Sequence, residues 1–447
     1  MRSFTSASLL DGSGLSLALA PGLTPAGLSE SPEFFSGFAV APTVLARGLL
    51  VLADVARTRY FQPVPAGGGG SDPICTANGD RLRFEAFSAC NTVAVRLDLL
   101  AGAFDGGDIR HGTTNVDINQ PLREALGGVS PAEPMHLSVG DGGLRVSTLE
   151  ATHVERRVEL PERWLRALGP AQELSRDLTL IGQAPAVQTR QLLASLASAP
   201  GGLGHWSVSR RGVRPALRPG RGTVYAENLG RLRAARRLGQ QITGLRVYGA
   251  GDGAEAASVW ELALPHGRLT FTLTAEYHRS FSGEGALLPK LAARTAVEDA
   301  EAVAERLAFE PRIDVPALAA RTGLDEERVG QGLAVLAVDG RVGYDLFEGA
   351  YFHRELPSPP AGRAARVLRA NPRLKNARRL VDDGAVRPCE GHPGVYRVRG
   401  GRDGQDEYVV RTEPAGCSCR WWRRYGGARG ACKHLLAARL SQEALHD

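Results

Sequence analysis

Several residue types are scarce in this chain of 447 residues, and each shortage excludes a class of protein. Six Cys are too few and too scattered for the disulfide framework of a small secreted protein. No run of eighteen apolar residues occurs, so we expect no transmembrane helix. Lys occupies only three positions, and 51 of the 54 basic residues are therefore Arg. In so Arg-rich a chain, a single Arg has little diagnostic weight.

Three of the six Cys lie together with a His near the C-terminus. Cys417 and Cys419 are one residue apart, and after twelve further residues Cys432 and His434 flank Lys433. The first pair can reach one ion from the turn of a hairpin, and the second precedes an apolar run typical of a helix. Three sulfurs and one imidazole complete a closed tetrahedral set, which is the arrangement of structural rather than catalytic zinc. The spacing therefore predicts a structural Zn²⁺ site.

The order Cys-x-Cys followed by Cys-x-His resembles the SWIM-type zinc finger, over about residues 385–442. That family occurs in bacterial proteins, in helicases of the chromatin-remodelling class and in Mutator-type transposases. The resemblance implies a ββα unit that binds nucleic acid or protein partners, and it implies no chemical reaction. So small a unit has little core of its own, and the metal is expected to supply much of its folding free energy.

The segment between the two ligand pairs is rich in Arg and aromatic residues. The candidate binding residues are Arg420, Trp421, Trp422, Arg423, Arg424 and Lys433. Interleaved guanidinium and aromatic groups are typical of surfaces that bind nucleic acid by stacking and charge. The same cations can instead offset the negative charge of three thiolates around one Zn²⁺. Of the two Trp, we expect one to be buried under the metal and the other to be partly exposed.

Charge is distributed unevenly along the chain, whose net charge is +6. Residues 361–447 contain 18 basic and 9 acidic residues, so the preceding 360 residues have a net charge of −3. A basic C-terminal region attracts phosphate backbones or an acidic protein surface. A second basic segment, 201–240, contains nine Arg and one acid. Its predicted helix over 228–238 is interpreted either as a solvated face or as an electrostatic footprint for nucleic acid.

Residues 296–357 predict three helices followed by a two-stranded wing, which resembles a winged helix-turn-helix. Residues 297–356 include six Arg but thirteen acids, and the third helix begins Asp325-Glu326-Glu327. Acids at this place oppose the approach of phosphates, and no row of Arg, Asn or Gln is present to contact base edges. We therefore expect this module to have a structural or protein-contacting role.

The whole sequence predicts an α+β, multidomain protein, because 447 residues exceed what a single core accommodates. Residues 1–40 are rich in Gly, Ser, Ala and Pro, which predicts poor order. Asn119 followed by Pro121 predicts the start of a helix. The expected divisions are a poorly ordered segment at 1–40, a mixed α/β body of two domains at 41–170 and 171–295, a winged-helix-like module at 296–357, and a small zinc-stapled ββα module at 385–442.

These patterns favour a non-enzymatic, zinc-binding protein whose basic C-terminal module binds nucleic acid, with DNA as the expected form. The alternative is a protein–protein adaptor or regulator without nucleic-acid binding. An AAA+ ATPase is one such partner, because proteins of this sort look similar to ones encoded beside AAA+ ATPases in bacteria. The sequence shows no Ser/His/Asp set with supporting context and no carboxylate pair at a catalytic spacing, so we expect no enzymatic activity. No small-molecule substrate or membrane partner is evident. Free thiols beside a thiolate metal site fit a reducing compartment, so a cytoplasmic location is expected.

Overall fold

A computed structural model describes most of the chain. The described residues are 9–11, 14–16, 22–24, 27–29, 33–61, 73–140, 142–158, 162–196, 204–281, 285, 287–354, 356, 362–401, 406–427 and 429–446. Within them, the buried apolar side chains form two cores. The first comprises residues between 34 and 281 together with Leu356, and the second comprises residues between 287 and 438.

The fold is a mixture of helices and antiparallel sheets. The strands are β1 (Leu9–Asp11), β2 (Gly14–Ser16), β3 (Gly22–Thr24), β4 (Gly27–Ser29), β5 (Glu33–Ala39), β6 (Ile74–Asn78), β7 (Arg81–Phe87), β8 (Val93–Leu100), β9 (Phe104–Asp105), β10 (His111–Asn115), β11 (His136–Gly140), β12 (Gly143–Ser147), β13 (Thr152–Arg156), β14 (Thr179–Pro185), β15 (His205–Ser209), β16 (Gly212–Ala216), β17 (Thr223–Tyr225), β18 (Gly244–Gly249), β19 (Ser258–Leu264), β20 (Gly267–Leu273), β21 (Val342–Asp345), β22 (Ala350–His353), β23 (Val386–Pro388), β24 (Val395–Gly400), β25 (Asp406–Arg411) and β26 (Gly416–Cys417).

The helices are distributed over both cores. They are α1 (Pro42–Arg57), α2 (Gln120–Gly128), α3 (Glu162–Arg176), α4 (Ala186–Ser195), α5 (Leu288–Ala292), α6 (Ala296–Ala304), α7 (Val315–Thr322), α8 (Glu326–Val338), α9 (Arg363–Ala370), α10 (Pro372–Asp382), α11 (Arg420–Tyr425) and α12 (Lys433–His446). Two 3-10 helices, Ala101–Ala103 and Leu229–Leu238, lie in the first core. None of the helices in the described part of the chain is long and apolar enough to span a membrane.

The first core is built around an eight-stranded antiparallel sheet in the order β10-β6-β7-β8-β20-β19-β18-β14. Two three-stranded meanders, β6–β8 and β18–β20, join edge to edge through β8 and β20. Helix α1 packs on β7 and β8, and Gly48 permits its close approach. A Cβ on Gly48 would lie 2.6 Å from Leu97 Cδ2, which is closer than real Cβ contacts allow. A larger residue at this position therefore requires either the Leu97 side chain or the helix to move.

Smaller elements surround the sheet. Strands β13-β12-β11-β5-β9 form a second sheet, and β16-β15-β17 form a third. Helix α2 begins as predicted, because the Asn119 side chain accepts a hydrogen bond from the Leu122 N–H at 3.0 Å and Pro121 lies in the first turn. The predicted helix at 228–238 is present as the 3-10 helix, and its Arg231 is fully buried. Arg231 therefore does not contribute to a basic surface.

The second core contains the three helices and the hairpin predicted for 296–357, in the predicted order. Helix α8, the third of these helices, packs against α3, α5, α6 and α7. Every residue from Gly332 to Val338 is buried, so the C-terminal half of α8 has no free face. The hairpin β21–β22 in turn lies against the charged face of the eight-stranded sheet, through Asp345 and Phe352. Both elements are thus packed inside the molecule.

Several predicted boundaries are corrected by this architecture. The division at 170 falls inside α3, and the eight-stranded sheet joins strands from both sides of it. The divisions at 357 and 385 do not separate cores, since α12 packs on α10 and α5 within the second core. Long-range strand pairing and helix packing produce these connections, and local sequence patterns do not report them.

The poor order predicted for residues 1–40 is wrong for the end of that segment. Strand β5 pairs with β11 and buries Phe34 and Phe35, because two adjacent aromatic residues supply apolar area that the average composition of the segment conceals. Strands β1 and β2 form one short pair, and β3 and β4 form another. The remaining residues of 1–32 lie outside the described part of the chain.

Candidate metal centre and the cleft beside it

Local structure places the four predicted ligands in two pairs. Cys417 ends β26, which pairs with β25, and Cys419 is the N-cap of α11. Cys432 immediately precedes α12, and His434 lies in the first turn of that helix. The segment from β26 to the start of α11 therefore presents Cys417 and Cys419 toward the start of α12. The predicted hairpin edge and helix are both present at these positions.

The four side chains meet at one point. The ligand atoms of Cys417, Cys419, Cys432 and His434 all lie within 4.8 Å of one another, and all four residues are buried. Cys417 Sγ is 3.8 Å from His434 Nδ1, which identifies Nδ1 as the nitrogen that faces the sulfurs. Metal–ligand bonds of about 2.0–2.3 Å in a tetrahedron place neighbouring ligand atoms roughly 3.5–3.8 Å apart. The group can therefore hold a metal such as zinc.

Backbone N–H groups surround the sulfurs. The N–H of Cys419 donates to Cys417 Sγ at 3.5 Å, that of Trp422 to Cys419 Sγ at 3.4 Å, and that of Leu435 to Cys432 Sγ at 3.4 Å. Hydrogen bonds of this kind stabilise thiolates and fix their orientation. Each of the three sulfurs thus receives a donor from the loop or helix that follows it, as a thiolate ligand requires.

The three thiols share protons unequally. Hydrogen bonds from the side chains of Cys417 and Cys432 hold the pKa of Cys419 well below the usual thiol range. Hydrogen bonds to Cys419 and Cys432 raise the pKa of Cys417 above that range. One sulfur is therefore favoured as a thiolate by its neighbours alone. Coordination of all three sulfurs releases the remaining protons, so metal affinity rises with pH.

The imidazole of His434 is held by close packing. Tyr408 stacks on it with ring centroids 4.3 Å apart and an interplanar angle of 26°. On its other edge, a Cβ on Gly400 would lie 2.9 Å from His434 Nε2. Gly400 is thus required at the end of β24 for the ring to fit. Tyr408 and Gly400 could not be identified from the sequence, because neither residue type is diagnostic until the ring is placed.

The candidate binding residues around the site differ in exposure. Arg420, Arg423 and Arg424 are exposed, Lys433 is half-buried, and Trp421 and Trp422 are both half-buried. The expectation of one buried and one partly exposed Trp is therefore wrong. The reason is that both rings pack against the second core from its surface and are only partly covered there.

Trp421 is already surrounded by side chains of its own chain. The Arg373 guanidinium lies 4.7 Å from its ring centroid, Arg429 lies at 5.6 Å, and the ring of Tyr425 lies at 4.5 Å. Cation–π contacts of this kind stabilise the ring in place. Trp421 consequently fixes Arg373 and Arg429 next to the metal group, and its faces are in contact with them.

A cleft of about 550 Å³ opens beside the metal group. Cys419, Cys432 and His434 line one side of it, and Trp421 lines another. Its cationic lining residues are Arg373, Arg420, Arg429 and Lys433. Among the described residues that line the cleft there is no acid. Arg373 comes from α10, about fifty residues before the ligands. It could not be predicted from sequence, because the Arg-rich pattern of 363–382 shows no link to the metal motif.

Comparison with known proteins identifies no relative by sequence: no family model and no curated protein matches this chain. Among solved structures, the chain is similar to Proliferating Cellular Nuclear Antigen from Entamoeba histolytica, at 11% identity and a TM-score of 0.35 over 54% of this chain and 99% of that one. It is also similar to the PCNA2-PCNA3 complex from Sulfolobus tokodaii, at 11% identity and a TM-score of 0.39 over 54% of this chain and 100% of that one. Similarities at this level supply no argument about function.

Proposed function

We propose that this chain is a non-catalytic zinc protein of the SWIM type whose basic C-terminal surface binds the backbone of nucleic acid, with DNA as the expected form. The supporting observation is the cleft beside the Cys417, Cys419, Cys432 and His434 group, whose described lining residues include four cations and no acid. Zn²⁺ supplies a structural cross-link there, because four protein ligands leave no open coordination position for a substrate or water.

The charge around the cleft favours an anionic partner. In the described part of the chain, Arg420, Arg423 and Lys433 have no ion-pair partner. Three thiolates around one Zn²⁺ have a net charge of −1, which one of these cations is enough to offset. The excess is available to phosphates.

The winged-helix-like module has a structural role in this proposal. The C-terminal half of α8 is buried, and the hairpin β21–β22 is held against the eight-stranded sheet. A recognition helix contacts base edges through its N-terminal residues, and those of α8 are the N-cap Asp325, Glu326 and Glu327. The acidic charge of residues 297–356 argues in the same direction. We therefore assign nucleic-acid contact to the zinc module alone.

A protein-binding alternative is supported by a different observation. The faces of Trp421 contact Arg373, Arg429 and Tyr425, which leaves little room for a stacked base. Leu288 and Pro372 add apolar surface to the same cleft. Apolar surface with a cationic rim also suits an acidic peptide segment of a partner protein. The alternative function is therefore that of an adaptor or regulator, for example of an AAA+ ATPase. The dependence of binding on salt separates the two proposals.

Replacing Arg420 and Arg423 together with Ala is expected to weaken DNA binding about tenfold at low salt without loss of zinc. Removing two phosphate contacts should also reduce the slope of log affinity against log salt by about 1.8 for duplex DNA. Fluorescence anisotropy of labelled single- and double-stranded DNA across a salt series measures both quantities. Zinc content, measured on the same samples, reports whether the site is intact.

The matched control removes the same charge elsewhere. Arg210 and Arg211 are exposed at the turn between β15 and β16, and their double Ala variant should bind DNA like the wild type. If wild-type protein binds neither form of DNA even at low salt, the nucleic-acid proposal is wrong and the adaptor alternative is favoured. Equal weakening in both double variants would indicate attraction by net charge alone.

A further inference from the structure

A second cavity, of about 930 Å³, lies in the first core and has no part in the metal site. Its walls come from the end of α1 and the residues after it, from α2, and from the 3-10 helix Leu229–Leu238. We refer to it as the arginine cavity. Six arginines line it, namely Arg57, Arg59, Arg123, Arg233, Arg236 and Arg237. Asp54 is the acid among the described lining residues.

That carboxylate is fully engaged. Asp54 Oδ1 accepts from Arg123 Nη2 and Asp54 Oδ2 accepts from Arg237 Nε, each at 2.5 Å. The remaining four arginines, Arg57, Arg59, Arg233 and Arg236, have no ion-pair partner within the described ranges. Arg123 Nη1 is also a buried donor without a hydrogen-bond acceptor there. The cavity thus has a large excess of positive charge and of unused donors.

Hydrogen bonds of the backbone and of buried Arg231 hold the walls of the cavity in place. Buried Arg231 ties the 3-10 helix to the sheet: Nη1 donates to Thr92 O at 3.1 Å, and Nη2 donates to Thr274 O and Glu227 O, each at 2.8 Å. The hydroxyl of Tyr60 donates to Arg231 O at 3.2 Å from the opposite wall. Like charges that converge on a fixed concave surface repel one another unless an anion lies between them.

We propose that the arginine cavity binds a compact phosphate polyanion, either a free di- or triphosphate or consecutive backbone phosphates of a nucleic acid. The planar guanidinium group binds phosphate oxygens in pairs, and several converging guanidinium groups match a ligand with several adjacent phosphates. Tyr60 is the aromatic residue of the described lining, and its hydroxyl is engaged with Arg231. The cavity therefore recognises phosphate and not a base. None of these residues contacts the metal group, so the inference is independent of the proposed function.

Inorganic tripolyphosphate is the probe for this site. We expect the full chain to bind it with one-to-one stoichiometry in isothermal titration calorimetry at fixed ionic strength, and to unfold at a higher temperature in its presence. The double variant with Arg233→Ala and Arg236→Ala should bind it at least about tenfold more weakly, since charge-assisted contacts are lost. Both residues are exposed, so the variant should unfold like the wild type without ligand.

The control is again the Arg210→Ala, Arg211→Ala variant, which should keep the wild-type affinity. Absence of stoichiometric binding, or equal weakening in both double variants, overturns the proposal.

Competition with an oligonucleotide distinguishes the two sources of phosphate. Displacement of tripolyphosphate by the oligonucleotide identifies backbone phosphates as the ligand, whereas tripolyphosphate binding without displacement identifies a free polyphosphate. The Arg420→Ala, Arg423→Ala variant should bind tripolyphosphate normally, so failure of the zinc-module proposal leaves this result unchanged.

Discussion

Replacing Cys417 with Ser is expected to abolish stoichiometric Zn²⁺ binding and to destabilise the second core by several kcal/mol. Structural zinc contributes on the order of 10 kcal/mol to folding in zinc-finger peptides that lack a core. In this chain α12, which supplies His434, also packs on α10 and α5. Part of the stability is therefore independent of metal. The same packing should spread the damage from the ligand group to α10.

Zinc content and hydrogen exchange together test this expectation. In the Cys417→Ser variant, amide protection should fall in β25, α12 and α10, whereas the strands β7, β8 and β20 of the first core should keep theirs. Cys389→Ser is the matched control, because Cys389 is half-buried and lies outside the ligand group. Full zinc retention in both Cys417→Ser and Cys432→Ser would show that the metal assignment is wrong. Loss of protection confined to 385–442 would contradict the shared core.

The metal group could be predicted from sequence because its information is local. Each ligand pair lies within three residues, and the turn or helix N-terminus that orients the pair is encoded by the same residues. Helix starts such as that of α2 are predictable for the same reason, since the Asn119 cap acts over three residues. The burial of all four ligands follows once the apolar start of α12 packs.

The environment of the group was not predictable, because it comes from distant segments. Arg373 reaches Trp421 from α10, and this contact determines both the lining of the cleft and the half-burial of the ring. Nothing in the Arg-rich pattern of 363–382 distinguishes a cation that contacts an aromatic ring from one that is solvated. The two Trp were for this reason assigned the wrong exposures.

The same limit applies to the eight-stranded sheet. Alternation in β7 and β8 predicts strands with one apolar and one polar face, and both strands are present. The sequence does not reveal that the polar face is covered by β21–β22, whose residues lie more than 240 positions further along the chain. Arg83, Arg96 and Asp98 have the pattern of solvent-facing residues, yet Arg83 and Asp98 are fully buried. Burial of this face explains how the two cores are joined.

The junction is a buried charge network centred on Asp345 of the hairpin. Asp345 Oδ2 accepts from Arg83 Nη1 at 2.7 Å and from Arg268 Nη2 at 2.6 Å, and Arg96 Nη2 lies 3.0 Å from Oδ1. Burial opposes the charged form of Asp345, but the charges of Arg96, Arg83 and Arg268 outweigh it and hold the pKa of this carboxyl well below its usual range. Phe352 of the same hairpin lies under Arg83, with Cζ 4.0 Å from the ring centroid.

Replacing Asp345 with Asn is expected to lower the free energy of unfolding by about 3–5 kcal/mol at neutral pH, because it leaves buried guanidinium groups without their counter-charge. Asp98 remains as a partner of Arg83, so the fold should persist in a weakened form. Urea unfolding, followed separately for the two cores, measures the loss and shows whether the hairpin separates from the sheet first. Glu407→Gln is the control: it makes the same acid-to-amide change in an exposed ion pair with Arg397, where screening leaves little effect on stability.

The pH dependence of this difference identifies its electrostatic origin. Because the pKa of Asp345 is lower in the folded state than in the unfolded chain, its contribution to stability is complete above the ordinary carboxyl pKa of about 4 and declines as the pH falls below that value. Asn has no corresponding proton, so the stability difference between wild type and Asp345→Asn should be largest at neutral pH and should shrink as the pH is lowered past about 4. A difference that stays constant down to pH of about 3 would mean that the carboxylate acts by shape and hydrogen bonding alone. A difference that shrinks would show that the charge of Asp345 helps to hold the hairpin against the sheet, in addition to the packing of α8 on α3.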